Sequence, residues 1–232
     1  AIFVYEIPEE KNRPEWIAPC TVPVAPLSQE AIIEGFGQAD LRQVTFDCTQ
    51  SWVYPGGGRA AGQYALFLET ALADDVFIEQ QLLDTSLSYE QKQAGVRPPF
   101  RLYARDVGPT QPHHKPDATV QVGEALNFLG YTLQEQNIRP GEPLLVETYW
   151  QVRQQSEPIS IMLHVSGPEG TLVLVGDGLG FPVDQWQSGD IFVQKHSLPI
   201  PEDAVPGRYR LYTGAYDLET ITPYRIFTDV TA

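Results

Sequence analysis

Leu144-Leu145-Val146-Glu147-Thr148-Tyr149-Trp150-Gln151-Val152 and the later run Ile159-Ser160-Ile161-Met162-Leu163-His164-Val165 decide the fold. In the first, Val146, Thr148, Trp150 and Val152 share one side of an extended chain. In the second, Ile159, Ile161, Leu163 and Val165 do the same. A period of two marks a strand with one face on a core, because successive side chains leave the pleat on opposite sides. Leu172-Val173-Leu174-Val175, Ile191-Phe192-Val193 and Tyr209-Arg210-Leu211-Tyr212-Thr213 are further strand-like runs. Pro140-Gly141, Gly167-Pro168, Gly176-Asp177-Gly178, Ser188-Gly189-Asp190 and Pro206-Gly207 supply turns between them. Short strands at this spacing predict an antiparallel β-sandwich, Ig-like or jelly-roll-like, over residues 118–232.

Upstream the pattern changes. Gly108-Pro109-Thr110-Gln111-Pro112-His113-His114-Lys115-Pro116-Asp117 has three prolines and no apolar period, and reads as a linker over 109–117. Adjacent histidines on an extended chain point apart, and no Cys, His or Asp sits at ligand spacing from His113-His114, so no metal is expected there. Residues 1–108 alternate between helix and strand signals. Ser28 caps a short helix that Gly35 or Gly37 ends, and the apolar positions of 74–83 form a second helix. Residues 16–24, 44–48, 50–54, 64–68 and 100–104 read as extended. The expected architecture is α+β in two domains: a small α/β domain with a mixed sheet over 1–108, then the sandwich.

The 232 residues carry 15 Lys and Arg against 30 Asp and Glu, a formal net charge of −15. That balance argues against nucleic acid and against docking on anionic lipid, since both need basic side chains. Uncharged runs such as 16–29 are too short and too proline-broken for the ~20 apolar residues of a membrane span. No signal-peptide pattern is visible. Ala1-Ile2-Phe3-Val4-Tyr5 reads as the tail of a preceding apolar segment or as an ordinary strand.

A family pattern emerges from Phe128-Leu129-Gly130-Tyr131, Ile138-Arg139-Pro140-Gly141-Glu142, Met162-Leu163-His164-Val165 and Trp186-Gln187-Ser188-Gly189-Asp190. Leu198-Pro199-Ile200-Pro201, Val205-Pro206-Gly207-Arg208-Tyr209-Arg210-Leu211 and Gly214-Ala215-Tyr216-Asp217 complete it. Together these resemble the C-terminal extracytoplasmic β-sandwich of bacterial membrane glycosyltransferases of the protein-mannosyltransferase or aminoarabinose-transferase-like superfamily. Residues 41–48 and 52–55 are similar to the region that follows the last membrane helix of such proteins. The resemblance spans most of 41–225. The family's catalytic acid belongs to a loop near the start of those enzymes, and nothing here matches it. The resemblance therefore implies an extracytoplasmic accessory region, with glycan or a glycosyl acceptor as partner and any membrane attachment through upstream segments.

No catalytic residue and no cofactor is assigned from the sequence. Ser166-Gly167 and Ser188-Gly189 lack a nucleophile elbow. Gly56-Gly57-Gly58-Arg59 lacks the spacing of a phosphate cradle and reads as a turn. Gly176-Asp177-Gly178 offers one carboxylate where calcium takes six to eight oxygens. Cys20 and Cys48 are the only cysteines. They either pair, for roughly 3 kcal/mol in an oxidising compartment, or remain buried thiols.

The aromatic residues are the better candidates. Tyr149, Met162 and His164 fall opposite the main apolar rows, as do Tyr212 and Tyr216 on the last strand. If that face is open, it is an aromatic-polar platform for glycan or protein; if covered, the rings pack beneath the first domain. Trp150 reads as core, and Trp186, before a turn, fits either role. The candidate ligand-binding residues are thus Tyr149, His164, Trp186, Tyr212 and Tyr216. The alternatives to an accessory region are a free-standing secreted binding protein and a hydrolase with carboxylates in an interdomain cleft.

Overall fold

A computed structural model describes residues 13–38, 40–93, 98–135 and 137–228. The opening 1–5 lies outside them. In chain order the first half contains β1 (Trp16–Pro19), α1 (Gln29–Phe36), β2 (Arg42–Gln43), β3 (Ser51–Tyr54) and β4 (Gly62–Phe67). It continues with α2 (Leu68–Ala71), α3 (Val76–Leu82), β5 (Ser86–Gln91) and β6 (Phe100–Arg105). The second half contains β7 (Val120–Val122), β8 (Leu126–Leu133), β9 (Pro143–Val152) and β10 (Ile159–Ser166). There follow β11 (Leu172–Val175), β12 (Ile191–Pro199), β13 (Arg210–Asp217) and β14 (Ile226–Thr228). No helix among the described residues is long and apolar enough to cross a membrane.

The first half builds a mixed five-stranded sheet in the order β2-β1-β4-β6-β5. β1 runs parallel to β2 and β4, and the remaining pairs are antiparallel. Its helices start and stop where the side chains dictate. Ser28 Oγ accepts the Ala31 N–H at the start of α1, and Gly37, at φ +61°, closes its end by donating to the Ile33 carbonyl. Asp75 caps α3 by accepting the N–H groups of Phe77 and Ile78. Residues 44–48, expected as a strand, make one isolated bridge, Phe46 to Cys20. Val44 and Phe46 also donate to the Ile17 and Pro19 carbonyls, so the segment runs on alongside β1, and Val44, Phe46 and Cys48 are all fully buried. Cys48 is bonded to Cys20 in a disulfide with Cα atoms 5.4 Å apart.

The second half is a β-sandwich. A three-stranded sheet, β11-β10-β13, faces a six-stranded sheet, β14-β7-β8-β9-β12-β3, and both are antiparallel. The alternation read from the sequence places Leu144, Val146, Leu163, Val165 and Leu198 in one cluster between the sheets. Trp150, Val152, Ile159, Ile161 and Phe192 join the larger core. Burying such rows is the main favourable contribution to folding, at about 25 cal/mol per Å² of apolar surface.

The division at the linker has one exception. β3 comes from the first half yet pairs with β12 and forms the edge of the six-stranded sheet. Its outward residues bring the two halves together. Trp52 packs on Phe46 and Tyr64, with ring centroids 5.4 and 4.6 Å away. Tyr54 lies under the Arg105 guanidinium at 5.0 Å, and its hydroxyl bonds Gln81. The six-stranded sheet is therefore a middle layer, with the small sheet on one face and the first half on the other. The linker is fixed as well. His114 and Tyr131 exchange both backbone hydrogen bonds at 2.9 Å, and their rings stack at 4.8 Å. The chain passes so close that a Cβ on Gly130 would sit 2.2 Å from the His114 carbonyl oxygen.

Candidate functional site

On β10, Ser160, Met162 and His164 alternate with the core residues Ile159, Ile161, Leu163 and Val165 and point to the other side of the sheet, where Ser160 is still buried and Met162 and His164 are half-buried. Register pairs them with Tyr216, Gly214 and Tyr212 on β13. On the other side His164 pairs with Val175 of β11. Val175, His164 and Tyr212 thus make one row across all three strands, with Val175 56% and Tyr212 47% exposed. Gly214 leaves a gap between the two tyrosines, and the Met162 methyl carbon lies 3.5 Å from where a Cβ there would stand. Asp177 borders the row: it accepts the Leu163 N–H at 3.0 Å and sits 3.4 Å from His164 Nε2. This face offers an open ring, a soft apolar floor, an imidazole and a carboxylate.

Tyr149 and Trp186 do not belong to it. Tyr149 lies opposite Trp150 on β9, but β9 is in the middle layer, so its outward side is the one the first half covers. It is buried, and its hydroxyl donates to Glu147 Oε2 at 2.9 Å. Burial first, then the neighbouring Glu147 charge, raises its ionisation well above that of a free tyrosine. Trp186 is core: its Nε1–H donates to the Phe181 carbonyl and its ring packs on Phe181 and Phe192. Alternation gave the side of the strand correctly for Tyr149 and could not say what lay against that side.

The glycine turn after β3 does receive an anion, an internal one. The Gly56 N–H donates to Oδ1 of Asp190 at 2.9 Å. Among the described residues no cluster of His, Cys, Asp and Glu has a metal-binding arrangement.

A second concave feature went unread in the sequence. Between the start of α3 and the outward side of β9 and β12 lies a pocket of about 290 Å³, lined by Asp74, Asp75, Phe77, Leu145, Glu147 and Lys195. Lys195 Nζ reaches both oxygens of Asp75, at 2.8 and 3.1 Å, and lies 5.5 Å over the Phe77 ring. Glu147 is 3% exposed, and its Oε1 has no hydrogen-bond partner. Desolvation raises its pKa, against the opposing pull of Tyr149, Gln134, His113 and Lys195. The signal was present: an acidic residue in the strand run 144–152, whose central residues are buried. A wider, open groove of about 830 Å³ lies at the sheet's far end, beside Gly123, Gln154 and Tyr224.

No family model matches the chain, and neither does any curated protein. Among solved structures it is similar to the C-terminal domain of wzt, at 14% identity and a TM-score of 0.38, over 51% of this chain and 75% of that one.

Proposed function

We propose that this chain is the non-catalytic, extracytoplasmic accessory region of a membrane glycosyltransferase-like protein, and that it holds glycan or a glycosyl acceptor on the outer face of its three-stranded sheet. The observation that carries this reading is the open Val175–His164–Tyr212 row, with Tyr216 beyond Gly214. A sugar presents C–H faces that stack on a tyrosine ring, and hydroxyls that donate to imidazole or carboxylate and accept from imidazole N–H. Few convergent polar groups beside apolar contact area are what a small-ligand surface needs. The sequence resemblance over 41–225 supports the parent class. The Cys20–Cys48 bridge supports an oxidising compartment, where disulfides persist. The carboxylates of the interdomain pocket favour hydrolysis less, because Asp75 is already committed to Lys195.

The test is a glycan-array screen of the purified chain with Tyr212→Ala and Tyr216→Ala beside it. Saturable binding that both variants lose while folding cooperatively is the expected result. Binding that survives both, or no binding to any glycan from a folded sample, overturns the reading in favour of partner docking.

A further inference from the structure

The groove of about 830 Å³ lies at the end of the sandwich where the turn 123–125, the connection 153–158 and the segment 222–225 converge. Backbone bonds fix its walls. The Arg153 N–H donates to the Ala125 carbonyl at 2.7 Å, the Gly123 N–H to the Arg225 carbonyl at 2.7 Å, and the Tyr224 N–H to the Ala215 carbonyl at 2.8 Å. Such ties set the wall before a ligand arrives, which lowers the ordering cost of binding. The half-buried Tyr224 ring is held as well. A Cβ on Gly123 would stand 2.6 Å from its Cδ2, so the ring rests on that glycine, and its hydroxyl is 3.1 Å from Ser156 Oγ. Glu157 and Arg225 line the same groove with exposed side chains. Among the described residues neither of these side chains makes an ion pair or a hydrogen bond. Gln154 and Gln155 each donate once, to Glu124 Oε2 and to the Asp184 carbonyl, and their amide oxygens remain as acceptors.

We propose that this groove is a second ligand site, which takes a short neutral oligosaccharide laid against the Tyr224 ring, with its hydroxyls shared between Glu157 and Arg225. The wall selects the ligand class. Unspent charges of opposite sign ask for a group that both donates and accepts, and a hydroxyl does so: it donates to carboxylate and accepts from guanidinium. An anion such as phosphate would meet two carboxylates, Glu124 and Glu157, against the guanidinium of Arg225. A peptide binds through anchors buried in apolar pockets, and the apolar wall here is Ala125 and the Tyr224 ring. A sugar needs only a flat apolar surface for its C–H face, which that ring supplies. The volume falls within the range of about 300–1,000 Å³ for small-ligand sites. Pro223 pairs with Tyr216, so the groove adjoins one end of the outer face, but it shares no lining residue with that face. The two sites therefore succeed or fail separately.

The experiment is isothermal titration calorimetry of the whole chain at neutral pH. The probes are maltotriose, mannotriose and triacetylchitotriose, with the zwitterion glycylglycine beside them. At least one trisaccharide saturates and glycylglycine does not. Glu157→Ala and Arg225→Ala change exposed side chains and leave the fold intact, and each weakens that binding about tenfold, the size of one hydrogen bond to a charged group. Tyr224→Ala abolishes it, and Tyr224→Phe, which keeps the ring, retains most of it. Tyr212→Ala leaves it unchanged, which separates this site from the outer face. No trisaccharide binding up to about 10 mM, saturation by glycylglycine instead, or binding undiminished in both Glu157→Ala and Arg225→Ala overturns the proposal.

Discussion

Arg42 and Asp190 meet across the two halves of the chain as a two-pronged ion pair, Nη1 to Oδ1 and Nη2 to Oδ2, each at 2.6 Å. Arg42 sits on β2 of the first sheet, and Asp190 leads into β12 of the middle one. The carboxylate is 1% exposed and accepts two more bonds, from the N–H groups of Gly56 and Gln187 at 2.9 Å. A planar guanidinium matches a carboxylate fork, and the backbone donors complete its coordination. Removing Arg42 leaves the buried Asp190 charge with its two backbone donors alone. Arg42→Ala therefore costs about 3 kcal/mol in urea unfolding, and Arg42→Lys restores only part, because an ammonium cannot span both oxygens.

The Cys20–Cys48 bridge closes a loop with a sequence separation of 28. Chain-entropy reasoning gives about 3.5 kcal/mol for a loop of that length. The Cys20→Ser/Cys48→Ser double variant, or reduction of the native chain, loses about that much. Unfolding titrations with and without reductant measure it, and an unchanged midpoint would show that the bridge is dispensable.

Two buried groups make stability depend on pH in opposite directions. His196 is desolvated between the sheets, and its pKa falls to about 4, although Nδ1 contacts the Gly176 carbonyl and Asp177 is near. Its native state favours the neutral ring, so its contribution is complete above the unfolded value near 6.5 and is lost as pH falls toward 4. The loss is about 3 kcal/mol. Glu147 is raised, so its protonated form favours the native state. Stability from that site is complete below the unfolded value near 4.3 and declines as pH rises through the native one. Asp74, Asp75, Lys195, His113, Gln134 and Tyr149 surround it from the turn before α3, β12, the linker, the end of β8 and β9. Glu147→Gln is accordingly neutral at pH 4 and stabilising at pH 8. Thermal melts of the wild type and of Glu147→Gln across that range show whether the two curves diverge upward.

Gly62 on β4 faces the Trp16 indole so closely that a Cβ would lie 2.0 Å from two ring carbons. Trp16 is pinned, its Nε1–H donating to the Ala60 carbonyl at 3.1 Å. Gly62→Ala must displace the ring and costs about 3 kcal/mol or more by overpacking. A Trp16→Leu background relieves the clash, and a double-mutant cycle reads the coupling.

Much of the fold was written locally. The rows of β9 and β10, the Ser28 cap and the glycine at the end of α1 rest on neighbours within a few residues. The unread parts depend on distant ones. β5, Ser-Leu-Ser-Tyr-Glu-Gln, lacks the β-branched residues that advertise a strand and is held by β6 alone. Residues 44–48 carry a strand pattern, and alternate backbone bonds from Val44 and Phe46 to Ile17 and Pro19 extend the β1–β2 pairing, with the disulfide fixing their end. At the candidate site, His164, Tyr212 and Tyr216 followed from alternation because the small sheet has one free face. Tyr149 obeyed the same rule on a sheet with none. The glycine run read as a plain turn, and its bond to Asp190, 134 residues on, had no signal in the local sequence.

The placement of Ser51–Tyr54 has a consequence for biogenesis. Ser51 is made 143 residues before Gln194, its partner in the ladder and through a 2.5 Å side-chain bond. Throughout that interval an apolar strand carrying Trp52 and Tyr54 waits with a bare edge. That is the state in which nascent chains pair with the wrong neighbour. The first half thus cannot finish before the second has been delivered, and the chain matures as one late event rather than as two successive ones.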